Sequence, residues 1–122
     1  MISTKRVGKV DVVRVTGEIS LGGGGLARPL DLQGQQLVDV GDTLTRLFGG
    51  GSRHILIDLG GVSFIDSAGF GELVACKKRA RERGGDVKIL QPAERVRALL
   101  VMTLLSQVFE ILEDEETAVA SF

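Results

Sequence analysis

The 122 residues carry 15 basic and 16 acidic side chains, a net charge of −1, so no overall field draws the chain to nucleic acid or to an anionic membrane. A hydrophobic share of 43% against 25% charged residues is the balance of one soluble globular domain, and at this length residues 1–122 are expected to form that single domain. One cysteine, Cys76, excludes an internal disulfide; MISTKRVGKV lacks a secretory apolar run, and no apolar stretch reaches the roughly 20 residues of a membrane span, which predicts a cytoplasmic chain with no membrane contact of its own.

VGKVDVVRVTGEI alternates around Val10, Val13 and Val15, with Gly8 at a turn, and predicts two short strands forming an edge hairpin. SLGGGGLARPLDLQG follows, where Gly22 to Gly25 and Pro29 prevent a regular element and predict a loop. From about Gln35 to Phe48, the residues Leu37, Gly41, Leu44 and Phe48 recur at helical spacing opposite Asp39, Asp42 and Arg46, an amphipathic helix weakened by Gly41. The glycines of GGGS end it. HILIDL is a continuous apolar run with β-branched residues, the mark of a central strand buried on both faces.

Beyond VSFIDSAGFGE, the residues Phe70, Leu73, Val74 and Lys77 share one face of a helix that ends in cationic KKRARER before Gly84 and Gly85. Positive charge there suits the partial negative charge of a helix C-terminus. DVKIL predicts a strand, and Pro92 opens a helix with Val96, Leu99, Leu100 and Thr103 inward. VFEIL reads as a short last strand and DEETAVASF as an acidic final helix. Strands and helices alternate from residue 35 onward, which predicts an α/β fold with a mostly parallel sheet.

The run Ile65-Asp66-Ser67-Ala68-Gly69 raises three possibilities for its serine. A nucleophile needs a base within hydrogen-bond reach, and the one histidine, His54, lies at the far end of the preceding strand. No Ser-His catalysis is expected, and His54 reads as a polar residue at the strand entry. A helix cap by Asp66 or Ser67 would account for one of the two at about 1 kcal/mol. Two capping-type residues in succession exceed what one helix start needs, and Gly69 in the first turn lets another chain approach the backbone, so a docking loop with a modifiable serine is the third reading. A phosphate on Ser67 would face free N–H groups at a helix N-terminus, which leaves the fold intact.

Elsewhere, GGGGLA satisfies a dinucleotide-type glycine pattern only formally, because Pro29 falls where the phosphate-binding helix should run, and no GK[ST] follows any glycine tract. Five phenylalanines without tryptophan or tyrosine offer little for stacking bases or sugars. Asp58, Asp66 and Ser67 come without a base, metal cluster or cofactor motif, so no enzyme, catalytic residue, metal or cofactor is expected. Cys76 reads as a small packed residue.

TGEIS (16–20), HILIDLGGVSFIDSAGFGEL (54–73), RERGGDVKIL (81–90) and VFEILEDEETAVASF (108–122) together resemble a STAS domain of the anti-sigma-factor antagonist type. The Asp-Ser-x-Gly loop after a buried strand is the most specific element. The resemblance implies a small mixed β-sheet with helices packed mainly on one face. It implies a bacterial transcription regulator working by partner switching: the unphosphorylated antagonist binds an anti-sigma factor that is itself a serine kinase and so frees the sigma factor. Serine phosphorylation of Ser67 switches binding off and a PP2C-type phosphatase restores it. By position, Ser67 is the phosphoacceptor and Asp66, Ser67, Ala68, Gly69 and Phe70 form the partner-binding loop.

Two features depart from the family pattern. The stretch between TGEIS and HILIDL is longer and richer in glycine than usual, and Leu104 stands where glycine commonly follows the threonine. The same fold also implies an alternative, a subunit of a lipid-transport ATPase or of a stressosome-like assembly, in which the serine serves only as a cap.

Overall fold

The computed structural model describes residues 2–19, 40–65 and 67–122. Gly8, at φ +61°, takes the left-handed conformation a tight turn needs and folds strand β1 (Ile2–Val7) back on β2 (Val10–Ile19), antiparallel with Val7 opposite Val10. Helix α1 (Val40–Gly49) leads to β3 (His54–Ile65), which lies parallel to β2 with His54 opposite Val10 and Ile65 opposite Ile19. Helix α2 (Ser67–Glu82), strand β4 (Asp86–Leu90), helix α3 (Glu94–Met102), the short strand β5 (Ile111–Leu112) and helix α4 (Glu115–Ala120) complete the chain. The sheet has the order β1-β2-β3-β4-β5, with only the first pair antiparallel.

Strand β3 is central, as HILIDL predicted, and its alternation divides the core. Ile55, Ile57 and Leu59 join Val13, Val15, Leu44, Phe48, Phe70, Leu73, Val96 and Leu100, so α1, α2 and α3 cover one face of the sheet. Leu56 points the other way with Val10, Val12 and Leu90, against Ala118, Val119 and Phe122 at α4. Burying each large side chain contributes about 2 kcal/mol, and most of that area lies under the three helices. A salt bridge of 3.0 Å between Lys5 and Glu115 ties α4 to β1.

Several elements differ from their sequence expectation. Strand β3 does not stop at the glycines Gly60 and Gly61 but continues to Ile65, with register shifts against β2 between Arg14 and Thr16 and between Gly17 and Glu18. Asp58 supports the irregularity: its carboxylate accepts the Gly60 N–H at 2.9 Å and pairs with Arg14 Nε at 3.1 Å. The inner face of α2 is completed by Cys76 and Ala80, both fully buried, while Val74 and Lys77 are half-buried. Thr103 is exposed, where its hydroxyl donates to the Leu99 carbonyl at 2.7 Å beyond the end of α3. The last strand shrinks to two residues because the Phe109 N–H is held by the Leu105 carbonyl at 2.9 Å, leaving Val108 and Phe109 in a turn. The predicted loop at SLGGGGLARPLDLQG and the predicted helical residues Leu37 and Asp39 lie outside the described residues.

Candidate functional site: the start of helix α2

The site is built where the buried strand β3 gives way to α2. Ile65 is packed in the core and paired with Ile19, and the helix begins two residues later at Ser67. Small residues open the helix, then Phe70, Leu73, Cys76 and Ala80 recur on the face that meets the sheet. The first N–H groups of a helix have no partner within it, and the aligned peptide dipoles place partial positive charge beside them. No acidic residue occupies the first turn of α2, whereas Arg79 and Arg81 lie in its last turn. The start of α2 at Ser67 is thus a positive helix end whose own first turn carries no acidic side chain, the kind of place that can accommodate a phosphoryl group.

Of the predicted loop, Asp66 lies outside the described residues, and Ser67 and Ala68 are placed by their backbone as the first two positions of α2. Gly69 is buried. The Phe70 ring is only 6% exposed and belongs to the core, so its side chain does not present a surface for docking. The aromatic side chain that does reach solvent is Phe64, 42% exposed, three residues before Ser67. Sequence reasoning missed it. Alternation from Ile55, Ile57 and Leu59 carries Ile65 onto the helix-covered face and leaves Phe64 off it, but a strand read as buried on both faces gave no reason to expect Phe64 in solvent.

The remaining candidates are dispersed. His54 stands at the opposite end of the twelve-residue β3, roughly 35 Å of extended chain from Ile65. Its ring meets Phe122 edge-on at 5.8 Å between centroids. Burial, followed by the positive charges of Lys9 and Arg53, holds the His54 pKa below the ordinary 6.5, with Asp86 opposing. Asp58, a carboxylate the sequence left without a task, is a strut of the β3 irregularity. Burial pushes the Cys76 thiol up to about 12, with Glu72 adding to the shift, and an unreactive packed thiol results. Among the described residues no three His, Cys, Asp or Glu side chains assemble into a metal site, and no helix is long and apolar enough to cross a membrane.

A family model for the STAS domain matches residues 31–118, and the chain belongs to that family. An anti-sigma factor antagonist from Mycobacterium paratuberculosis superposes with a TM-score of 0.76 at 18% identity, covering 99% of this chain and 92% of that one. The antagonist SpoIIAA in its unphosphorylated form is similar with a TM-score of 0.69 at 21% identity, over 98% of this chain and 93% of its own. The Bacillus cell fate determinant SpoIIAA in its phosphorylated form gives 0.66 at 17% identity, over 99% and 98%. At such identities the likeness is one of fold, and it bears out the mixed sheet with helices mainly on one face.

Proposed function

We propose that this chain is an anti-sigma factor antagonist whose binding to an anti-sigma factor serine kinase is switched off by phosphorylation of Ser67 and restored by a PP2C-type phosphatase. The observation that carries this reading is the position of Ser67 as the first residue of α2, at the end of a buried strand and at a helix terminus with no acidic residue in its first turn. Phosphate adds about −1.5 to −2 charge there, which the helix end tolerates. A partner fitted to the neutral surface must instead bury that charge largely unpaired. A penalty of about 3 to 4 kcal/mol weakens binding several-hundredfold, so release needs no refolding. That two forms of SpoIIAA, phosphorylated and unphosphorylated, both match this fold is consistent with a switch read from the surface.

On this reading Asp66, Ser67, Ala68 and Gly69 form the docking loop, with Phe64 as an exposed aromatic anchor beside it. The chain is one cytoplasmic STAS domain that acts as substrate and binding module, and the ATP chemistry belongs to the kinase. The test is a pull-down from native lysate with wild type, Ser67→Ala and Ser67→Glu as baits. A kinase-fold anti-sigma factor held by wild type and Ser67→Ala but lost with Ser67→Glu is expected. An ATPase-permease complex or a stressosome-like assembly held equally by all three would reduce Ser67 to a cap.

A further inference from the structure

We propose that the trough between the C-terminal half of α2 and the turn following α3 is a second docking surface, which receives an acidic amphipathic helix from a partner protein. Val74, Lys77, Lys78, Arg81 and Glu82 face Val108 across an open cavity of about 490 Å³. Its apolar part continues along the chain. Of the five large apolar side chains exposed among the described residues, four (Val101, Met102, Leu104 and Val108) fall in one short stretch. Val108, which ends that stretch, is the one of the four that lines the cavity. Leu104 is held at φ +62° with its side chain 63% exposed. The left-handed conformation is unfavourable for a residue with a side chain, and an exposed side chain returns little of that cost to the fold.

Charge decides the occupant. Lys77 is already committed, to Asp86 at 2.6 Å and over the Phe109 ring at 5.6 Å. Lys78 is exposed, and Arg81 keeps 65% of its side chain in solvent with Asp86 no nearer than 3.5 Å. These two cations are three residues apart, on adjacent turns of one helix face. From Val74 to Arg81 the helix rises about 10 Å, two turns, the length over which a docked helix presents residues i, i+3 and i+7. Leucines at those positions fill the space between Val74 and Val108, and flanking glutamates meet Lys78 and Arg81. Arg81 shares Asp86 with Lys77, yet three cations still outnumber the one carboxylate of the lining, Glu82, and a small apolar ligand would make no use of that charge. A second copy is disfavoured because its acidic helix α4 already buries Ala118 beneath the sheet and pairs Glu115 with Lys5.

The trough begins about 10 Å along α2 from Ser67 and leads away from it, so its occupation leaves the serine uncovered. The probe is a synthetic helical peptide of about 15 residues with leucines at i, i+3 and i+7 flanked by glutamates, titrated into isotope-labelled protein. Amide shifts are expected at Val74, Lys78, Arg81 and Val108, with affinity falling as salt rises. Lys78→Glu and, separately, Val108→Ala should each weaken binding about tenfold with an unchanged circular dichroism spectrum. Ser67→Glu should leave peptide affinity unchanged, which separates this surface from the proposed switch. Shifts elsewhere or none, equal binding of a lysine-for-glutamate peptide, preferential binding of phosphatidylglycerol vesicles, or a concentration-dependent dimer that competes with the peptide would each overturn the proposal.

Discussion

Leu104 and Phe64 each occupy a position where side-chain type and environment disagree. Leu104 takes the left-handed conformation that glycine adopts freely. Leu104→Gly is therefore expected to stabilise the domain by about 1 kcal/mol, a balance between relieved backbone strain and the greater entropy of the unfolded glycine. Urea denaturation would measure it, and a fall in the midpoint would contradict the strain. Phe64 exposes a large apolar ring three residues before Ser67. Phe64→Ala should leave stability within about 1 kcal/mol of wild type while weakening the proposed anti-sigma partner about tenfold or more by calorimetry. Unchanged affinity would remove the ring from the docking surface. Ser67 itself was legible in the sequence, since a run of apolar residues ending in Asp-Ser-Ala-Gly marks a strand giving way to a helix. The exposure of Phe64 was not, because composition does not show where along β3 the cover on its second face ends.

Among the elements, those with dense periodic signals were read correctly. DVKIL is β4 to the residue, and the four buried or half-buried positions Phe70, Leu73, Val74 and Lys77 do lie on the inward half of α2. VFEIL was over-read as a strand because its apolar content does not distinguish a strand from a turn that packs Phe109 into the core. The junction of α2 with β4 depends on a contact that sequence shows only as a pair of glycines. A Cβ on Gly85 would fall 1.8 Å from the Arg53 carbonyl oxygen, a backbone atom that cannot swing aside. The same two segments are joined by the Asp86 N–H donating to that carbonyl at 3.0 Å. Gly85→Ala should therefore cost about 3 kcal/mol, read as a lower thermal midpoint, whereas near-wild-type stability would mean that the approach relaxes easily. Gly84→Ala, at φ +81° but with open space around its Cβ, should be milder.

For the whole molecule, the side of the sheet beneath α4 responds to pH. His54 has its folded pKa below the unfolded value, chiefly through burial, so the unfolded chain binds the extra proton first. Its contribution is fully present above about 6.5 and is lost as pH falls toward the folded pKa. Asp114 follows the same sign lower down: hydrogen bonds from the Thr117 backbone and hydroxyl depress its pKa, and the support it gives α4 disappears as pH drops below about 4. The urea midpoint should decline between pH 7.5 and 5.5, and His54→Gln should flatten that decline; an increase toward acid pH would contradict the assignment. The overall α/β order was legible because alternating elements leave few topologies. That helices pack mainly on one face came through the family resemblance, but that α4 is the one to cover the other face did not, since an apolar residue count does not say which side of a sheet a short helix will cover.

The parallel pairing of β2 with β3 also governs how the chain assembles. Arg14 and Asp58, partners across those strands, are 44 residues apart, so the hairpin of β1 and β2 can form within microseconds whereas its union with β3 waits on the closure of a long loop. That closure grows only with the logarithm of length: doubling the intervening chain costs about 0.6 kcal/mol, and ten added residues only about 0.2 kcal/mol. The glycine-rich stretch between these strands is thus an inexpensive place for evolution to add or remove residues, and lineages of this fold can diversify there while the sheet, the start of α2 and the folding route stay as they are.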